Sequence, residues 1–170
     1  MIGEALFDAP AIAGRVRELG AAIARDYVDT IPLLVGLLPA AAPFLTDLSR
    51  AISIPCQLEA ISVNRYGDGD GIAFQKDTAI PVAGRHVVLV DDTIDTGLTL
   101  QYVVKTLLAR RPASLSVCTL LDRPHRRIAA VDVKYRGFEA PDVYLVGYGL
   151  GYLGRYRELP ALYAHETWPA

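Results

Sequence analysis

Segments whose apolar residues follow a helical spacing alternate along this chain with short apolar runs typical of buried strands. The first helical segment has apolar positions at steps of three or four residues, which are Ile12, Val16, Leu19, Ile23 and Tyr27. This spacing predicts an amphipathic first helix. Two more helices are predicted, over 44–52, where Pro43 is compatible with a first helical turn, and over about 97–110.

Strands are predicted where apolar residues form short runs or alternate with polar ones. These segments cover 31–38, 57–65, 86–90, 114–121, 131–136 and 143–147. We expect a short helical turn or two after the last strand, and the glycine-rich GDGDG at 67–71 predicts a loop or hairpin tip. Because strands alternate with helices, the pattern predicts an α/β fold with a mainly parallel central sheet flanked by helices.

The length of 170 residues predicts one domain, over residues 1–170, with a sizeable core. Apolar residues make up 52% of the chain and charged residues 21%, a balance that is typical of a globular protein. We expect residues 123–170 to form a small subdomain beside the sheet.

Charge and hydropathy argue against several classes of partner. The net charge is −2 and no long basic run is present, which argues against nucleic-acid binding. No apolar run reaches about 18 residues, and the amino end lacks the features of a secretory signal, so no membrane contact is expected. Cys56 and Cys118 lie far apart in the sequence, and we expect two reduced thiols in a cytoplasmic protein.

The segment HVVLVDDTIDTGLTL, at 86–100, concentrates the candidate chemistry. A continuous apolar run at 87–90 predicts a strand buried on both faces, followed by a short loop and a helix. In open α/β sheets, such a loop at the carboxyl end of a parallel strand is where ligands bind. Buried acids at this point are costly unless a partner pairs with them.

The residues of this loop are suited to binding a phosphorylated sugar and to accepting a proton. Three residues stand where the helix begins: Thr96, Gly97 and Thr99. Backbone N–H groups at such a position can hold a phosphate. Asp91 and Asp92 can hold ribose hydroxyls or Mg²⁺, which prefers oxygen ligands, and Asp95 can accept a proton. The alternative is an ordinary strand–helix turn in which Asp and Thr only cap the helix.

The segment VVLVDDTIDTGLTL resembles the ribose-phosphate-binding signature of type I phosphoribosyltransferases. In the carboxyl half, LLDRPHRR, GFEAPDVYLVGYGL and RYRELP are similar to the hypoxanthine-guanine phosphoribosyltransferase family, the purine branch. The resemblance covers nearly the whole chain, which is identified as a divergent member. It implies the type I phosphoribosyltransferase fold, with a small hood subdomain built mainly from about 123–170 and the amino terminus.

This resemblance implies an enzyme that transfers a 5-phosphoribosyl group from phosphoribosyl pyrophosphate to a 6-oxopurine base, hypoxanthine or guanine. Pyrophosphate is released, Mg²⁺ is the cofactor, and the role is purine salvage. At the matching positions, Asp91 and Asp92 engage the ribose hydroxyls and the metal. Asp95 is the general base that takes the proton at purine N7.

Further roles implied by the resemblance concern the phosphates, the base and a lid. The 5′-phosphate is held by Thr96, Gly97, Leu98 and Thr99. The pyrophosphate is contacted by Leu38, Pro39, Ala40 and Arg157. The base is contacted by Arg123, Tyr144 and Leu145. A lid that closes over the reacting centre and excludes water contains Arg65, Tyr66 and the segment 67–71.

Three positions depart from the family pattern. The pyrophosphate loop, usually Leu-Lys-Gly, is Leu38-Pro39-Ala40 here, and the peptide bond before that lysine can be cis in the family. Because a cis bond costs only about 0.5–1 kcal/mol before proline, against roughly 2.5–4 kcal/mol elsewhere, we predict a cis Leu38–Pro39 bond. Gly151 stands where the family has a metal-ligating aspartate. Arg123 replaces the lysine that recognises the base, and its planar fork is not equivalent.

Two alternatives follow from these departures. One is a phosphoribosyltransferase for a different purine-like base, such as a deazapurine in a specialised pathway. The other is a non-catalytic regulator that senses a nucleotide or phosphoribosyl pyrophosphate, and the presence of Asp95 favours the enzyme over this regulator. The resemblance also implies a homodimer or homotetramer.

Overall fold

The computed structural model describes residues 2–66 and 71–166, without the side chains of Arg65 and Tyr66. The helices in this part of the chain are α1 (Ala9–Asp26), α2 (Ala42–Ala51) and α3 (Leu98–Ala109). The strands are β1 (Ile2–Phe7), β2 (Leu33–Leu37), β3 (Gln57–Tyr66), β4 (Gly71–Lys76), β5 (His86–Ile94), β6 (Ser114–Asp122), β7 (Tyr135–Glu139), β8 (Tyr144–Val146) and β9 (Leu162–His165). None of the described helices is long and apolar enough to cross a membrane.

A six-stranded sheet, in the order β4-β3-β2-β5-β6-β7, forms the centre of the fold. Neighbouring strands from β3 to β7 run parallel, and β4 pairs antiparallel with β3. The predicted α/β fold with a mainly parallel sheet is therefore confirmed. Parallel pairing brings the carboxyl ends of β2, β5 and β6 to one edge, the position at which open α/β sheets bind ligands.

Helices cover both faces of this sheet, and each face has its own apolar core. Alternate residues of β2 show this, because Leu34 belongs to the core beneath α1 and α2, while Leu33 and Val35 belong to the core beneath α3. All three side chains are fully buried. Burial on both faces explains why these strands are continuous apolar runs in the sequence.

A second sheet of three antiparallel strands, in the order β1-β9-β8, joins the amino end of the chain to its carboxyl end. The helical turn expected near the carboxyl end is wrong, because Leu162–His165 is a strand between two partners. The sequence pattern predicts neither β1 nor β4. Both lie at sheet edges, where most of their side chains are exposed or half-buried and leave no apolar run.

Two strand boundaries differ from the sequence prediction. The strand expected at 131–136 is Tyr135–Glu139, because its position is set by parallel pairing with β6 rather than by its own apolar pattern. Strand β5 continues past the apolar run to Ile94, and Asp91 still pairs with β6. The acids Asp91 and Asp92 therefore lie on the strand itself rather than in a loop.

Two glycines of α1 have opposite surroundings. A Cβ at Gly20 would lie 2.7 Å from backbone C and O of Ala51 on α2, whereas a Cβ at Gly14 would lie 3.8 Å from Arg17 Nη2. Since alanine is better than glycine in a helix interior by about 0.5–1 kcal/mol, we expect Gly14→Ala to raise the free energy of unfolding by about that amount. Gly20→Ala should lower it by about 1–3 kcal/mol, because α1 and α2 are forced apart. Urea denaturation measures both changes, and shifts of the same sign would contradict this helix contact.

Candidate active site

The segments that follow β2, β5 and β6 meet at the carboxyl edge of the central sheet, beside the segment 147–157 that follows β8. Direct contacts join them. Gly149 lies against the carbonyl of Ala40, and the Arg123 backbone N–H donates to the Ile94 carbonyl at 3.0 Å. Residues that are far apart in the sequence thus surround one region of the molecule.

The segment Leu38-Pro39-Ala40 leads from β2 towards α2. The Leu38–Pro39 peptide bond is cis, as predicted. The Leu38 N–H donates to the Ile61 carbonyl on β3 at 2.8 Å, and the Ala42 N–H donates to the Pro39 carbonyl at 3.2 Å. This segment offers backbone groups to the site and carries no charged side chain.

Asp91 and Asp92 are neighbours near the end of β5, where Asp91 is buried and Asp92 is half-buried. Asp91 is only 6% exposed, and its Oδ1 accepts from the Asp92 backbone N–H at 3.0 Å. Burial, together with the neighbouring charge of Asp92, raises the pKa of Asp91 well above its ordinary value. Burial also raises the pKa of Asp92, while the positive charge of Arg157 acts in the opposite direction. Two adjacent carboxyls, one buried and one half-buried, favour a cation as their partner.

The ligand set at this acid pair is incomplete for a closed metal cage. Across residues 2–66 and 71–166, no group of three or more His, Cys, Asp or Glu side chains is placed to hold a metal ion. A pair of carboxylates nevertheless suits Mg²⁺, which keeps several waters and binds through one or two carboxylates plus substrate phosphates. Asp91 and Asp92 therefore fit a cation that arrives with a phosphorylated substrate.

Asp95 follows β5 directly, and its side chain is paired with an arginine. Arg126 Nε lies 2.6 Å from Asp95 Oδ1, with the two side chains 32% and 41% exposed. The same guanidinium reaches Asp142, with Nη1 3.2 Å from Oδ1. Asp95 is thus accessible to a ligand, which would have to share its carboxylate with Arg126.

A polar cavity of about 260 Å³ lies at the start of α3, lined by Asp91 and by the residues from 93 to 100. Gly97 caps the helix with a φ of +82°, in the left-handed region that favours glycine. A Cβ at this position would also lie 2.7 Å from the Ala129 carbonyl oxygen. Since the first N–H groups of a helix have no partner within the helix, this cavity suits a phosphate.

The residues predicted to contact a base lie after β6 and on β8. Arg123 is 5% exposed, its Nη2 donates to the Val143 carbonyl at 2.8 Å, and burial lowers its pKa. Tyr144 is half-buried, and its hydroxyl donates to the Gly151 carbonyl at 2.8 Å. Leu145 is buried on β8. The bond to Val143 fixes Arg123 beside the start of β8, where Tyr144 lies.

The ring of Tyr144 is held edge-on by two other rings. Its centroid lies 5.8 Å from that of Tyr152 and 6.3 Å from that of His165. Tyr152 and His165 also contact each other, with centroids 4.5 Å apart. These contacts restrain the plane of the Tyr144 ring.

Arg157 lies over Gly151. Its guanidinium donates to the carbonyl of Gly149. A Cβ at Gly151 would lie 2.9 Å from Arg157 Cγ and 3.0 Å from its Nε. Arg157 therefore occupies the room that a side chain at position 151 would need, and its charge acts on Asp92.

An ionic network after β6 is absent from the sequence prediction. Asp122, at the end of β6, is paired with Arg127 and Arg136, while Arg126 is paired with Asp95. The only signal in the sequence is an acid followed closely by two adjacent arginines in LLDRPHRR. That pattern does not reveal which acid each arginine contacts.

The predicted lid lies mainly outside the described residues. Residues 67–70 are not among them, and neither are the side chains of Arg65 and Tyr66. Strands β3 and β4 pair antiparallel on either side of this segment. The lid therefore stays a prediction.

Comparisons with known proteins agree with this geometry. Residues 3–153 match the family model of the phosphoribosyl transferase domain. The chain is 39% identical over 163 residues to the hypoxanthine-guanine phosphoribosyltransferase of Bacillus subtilis, which covers 94% of this chain and 91% of that protein. It is 41% identical over 168 residues to the hypoxanthine-guanine phosphoribosyltransferase of Mycobacterium avium, covering 93% and 83%.

A solved structure shows the same relationship. The fold matches that of a hypoxanthine-guanine phosphoribosyltransferase from Bacillus anthracis with a TM-score of 0.94 and 31% identity, over 97% of this chain and 99% of that one. The chain therefore belongs to the phosphoribosyltransferases and, within that class, to the hypoxanthine-guanine phosphoribosyltransferase family. The resemblance and the type I fold predicted from the sequence are both confirmed.

Asp91→Asn should stabilise the protein at neutral pH when metal and substrate are absent. The raised pKa of Asp91 means that the folded state binds this proton more tightly than the unfolded chain does. Its contribution to stability is therefore present at acidic pH and is lost as the pH rises through the folded-state pKa. Asparagine has no charge to bury, so we expect a midpoint of thermal unfolding at pH 7 several degrees higher, at roughly 2–4 °C per kcal/mol.

Thermal unfolding with a chelator present, followed from pH 7 down to the ordinary aspartate range near about 4, measures this difference. The difference between the unfolding midpoints of Asp91→Asn and the wild type should become smaller as the pH falls. Asp132→Asn, at an exposed acid, is the control and should show no comparable gain. A lower midpoint for Asp91→Asn at pH 7 would contradict the buried charge.

Proposed function

We propose that this protein transfers the 5-phosphoribosyl group of phosphoribosyl pyrophosphate to a 6-oxopurine, hypoxanthine or guanine, in purine salvage. The observation that carries this proposal is the end of β5, where Asp91, Asp92 and Asp95 stand next to the start of α3. The names of its relatives support the same acceptor. The presence of all three acids favours catalysis over a purely regulatory role.

At the sugar end, the bond from ribose C1 to pyrophosphate breaks and a bond from C1 to the purine nitrogen forms. Positive charge develops on the sugar and negative charge on the leaving pyrophosphate. Asp91 and Asp92 would hold the ribose hydroxyls and Mg²⁺, and the bound ion would supply positive charge to the leaving pyrophosphate. The backbone N–H groups from 96 to 99 hold the 5′-phosphate, and the cavity at the start of α3 supports this assignment.

At the base end, Tyr144 stacks on the purine and the backbone of Leu145 reads its edge. Arg123 donates to the 6-oxo group. Asp95 accepts the N7 proton. Because Arg126 contacts Oδ1 of Asp95, we assign the proton to Oδ2, so that the purine and the guanidinium share the carboxylate.

The pyrophosphate leaves between the segment 38–40 and Arg157. Backbone groups of that segment bind it, and Arg157 supplies positive charge in the absence of a lysine at position 39. Gly151 offers no carboxylate, so a second Mg²⁺ would rely on pyrophosphate and water for its ligands. The proposed site therefore depends on the single acid pair at 91–92 for its protein ligands.

The sheet β1-β9-β8 is the proposed hood over the base, within one domain that spans 1–170. Its support is that Tyr144 and Leu145 lie on β8. The segment 67–71, with Arg65 and Tyr66, is the proposed lid. The homodimer or homotetramer implied by the family resemblance stays a prediction.

Pyrophosphate release from phosphoribosyl pyrophosphate, with Mg²⁺ and a panel of bases, tests this function. The panel contains hypoxanthine, guanine, xanthine, adenine, uracil and several deazapurines. We expect fast release with hypoxanthine or guanine, together with the matching nucleotide. Release with a deazapurine alone would change the acceptor, and tight nucleotide binding without release from any base would favour the regulator.

Asp95→Asn should lower kcat by about 10²–10⁴-fold, because asparagine cannot take the purine proton. Steady-state kinetics with the best base of the panel measure the loss. Asp142→Asn is the matched control, since Asp142 is an exposed acid that contacts the same Arg126. We expect near wild-type turnover for the control. Unchanged turnover in Asp95→Asn would remove Asp95 from the role of general base.

A further inference from the structure

Asp122, at the end of β6, is buried even more completely than Asp91. Its side chain is 1% exposed and is paired with Arg127 Nη2 and, at 2.6 Å, with Arg136 Nε. The Arg127 side chain is 16% exposed, whereas that of Arg136 is 51% exposed. Because a buried charge needs a partner that is itself shielded from water, Arg127 is the main counter-ion of Asp122.

The guanidinium of Arg127 also contacts the segment that follows β5. Its Nε donates to the backbone carbonyl of Asp95 at 3.2 Å, while its Nη2 contacts Asp122. The donors of a guanidinium form a rigid planar fork. Arg127 therefore connects the buried end of β6 to the backbone of Asp95 without touching the Asp95 carboxylate.

The residues after Arg127 continue this attachment. The backbone N–H groups of residues 128 and 129 both donate to the Thr96 carbonyl, at 2.8 and 2.9 Å. The carbonyls of Asp95 and Thr96 are thus both held by the segment 127–129. The anchor of that segment is the ion pair with Asp122.

We propose that Arg127, anchored by Asp122, is a positioning residue that fixes the backbone of Asp95 for proton acceptance from the base. This inference rests on the proposed function, in which the Asp95 carboxylate must lie at hydrogen-bond distance from the purine. A misplacement of about 1 Å can cost 10²-fold in rate. Arg127 has no contact with the reacting atoms in this scheme and acts through Asp95.

Arg127→Lys is the most informative variant. Lysine keeps a positive charge beside Asp122, so we expect the protein to fold, but a single ammonium group does not reproduce the rigid fork by which Nε and Nη2 contact the Asp95 carbonyl and Asp122. We expect kcat to fall by about tenfold or more, with KM for phosphoribosyl pyrophosphate changed much less. Arg127→Met would leave Asp122 with Arg136 alone and is avoided, because it risks a failure to fold.

Arg110→Lys is the matched control. Arg110 follows α3, and its Nη1 and Nη2 each lie 2.6 Å from an oxygen of Asp77, so that this substitution also breaks a two-pronged contact. It lies outside the proposed site. We expect wild-type kcat from this variant and a midpoint of thermal unfolding similar to that of Arg127→Lys.

An Asp95→Asn background distinguishes positioning from a general loss of structure. If Arg127 acts through Asp95, Arg127→Lys should lower kcat by a much smaller factor in the Asp95→Asn background than in the wild type. The reason is that the effects of two residues that act as a unit are not additive. Equal fold-losses in the two backgrounds would overturn the proposal. Wild-type kcat in Arg127→Lys would also overturn it.

Amide hydrogen exchange provides a second measurement that does not depend on turnover. A peptide that covers 91–100 should exchange faster in Arg127→Lys than in the wild type or Arg110→Lys, because the Asp95 carbonyl has lost its donor. Unchanged exchange would overturn the proposal. If the wild-type protein makes no nucleotide, the proposed function fails, and this exchange experiment alone decides whether Arg127 fixes the segment.

Discussion

Two buried carboxylates at neighbouring strand ends, Asp91 on β5 and Asp122 on β6, constrain this edge of the sheet. Each is at most 6% exposed, and a charge in such surroundings is costly without a partner. Asp122 has its partners within the chain, in Arg127 and Arg136. Asp91 instead has a second acid, Asp92, beside it. The chain itself therefore neutralises one of these strand ends, while the other favours a cation that comes with a ligand.

The acid at the end of β6 stabilises the folded site, whereas the acids near the end of β5 are suited to a ligand. The paired acid at 122 orders the backbone of Asp95 and Thr96 through the segment 127–129, so the loop is set before any ligand arrives. Asp91 destabilises the ligand-free fold at neutral pH, since burial and the neighbouring charge of Asp92 raise its pKa. Binding of a cation with a phosphorylated substrate would relieve that cost. A loop that is held by hydrogen bonds from its own chain, beside a buried acid, is the arrangement expected of a preorganised site.

Apolar patterns in the sequence predict the helices and strands whose position depends on which of their own residues are buried. Helices α2 and α3, and strands β2, β3 and β6, lie within two residues of their predicted bounds, and α1 covers nearly all of the predicted helical positions, because apolar periodicity records which face is buried. Local patterns do not predict strands β1 and β9, because these two strands pair with each other from opposite ends of the chain. The acids of the motif at 86–100 lie between positions 91 and 95, so a local pattern predicts them together. The pairing of Arg127 with Asp95 joins residues 32 positions apart, and only the folded chain reveals it.

The three departures from the family pattern together leave the net charge of these positions unchanged, and one of them also leaves room for a neighbouring side chain. Pro39 removes a positive charge from the pyrophosphate side, and Gly151 removes a negative one, while Arg123 keeps the charge of the lysine that it replaces. The net local charge is therefore unchanged. Gly151 also leaves the room that Arg157 occupies, because a Cβ there would lie 2.9 Å from Arg157 Cγ. In the proposed function, the departures fall on the pyrophosphate and base sides of the site, whereas the acids assigned to the sugar, Asp91 and Asp92, are retained.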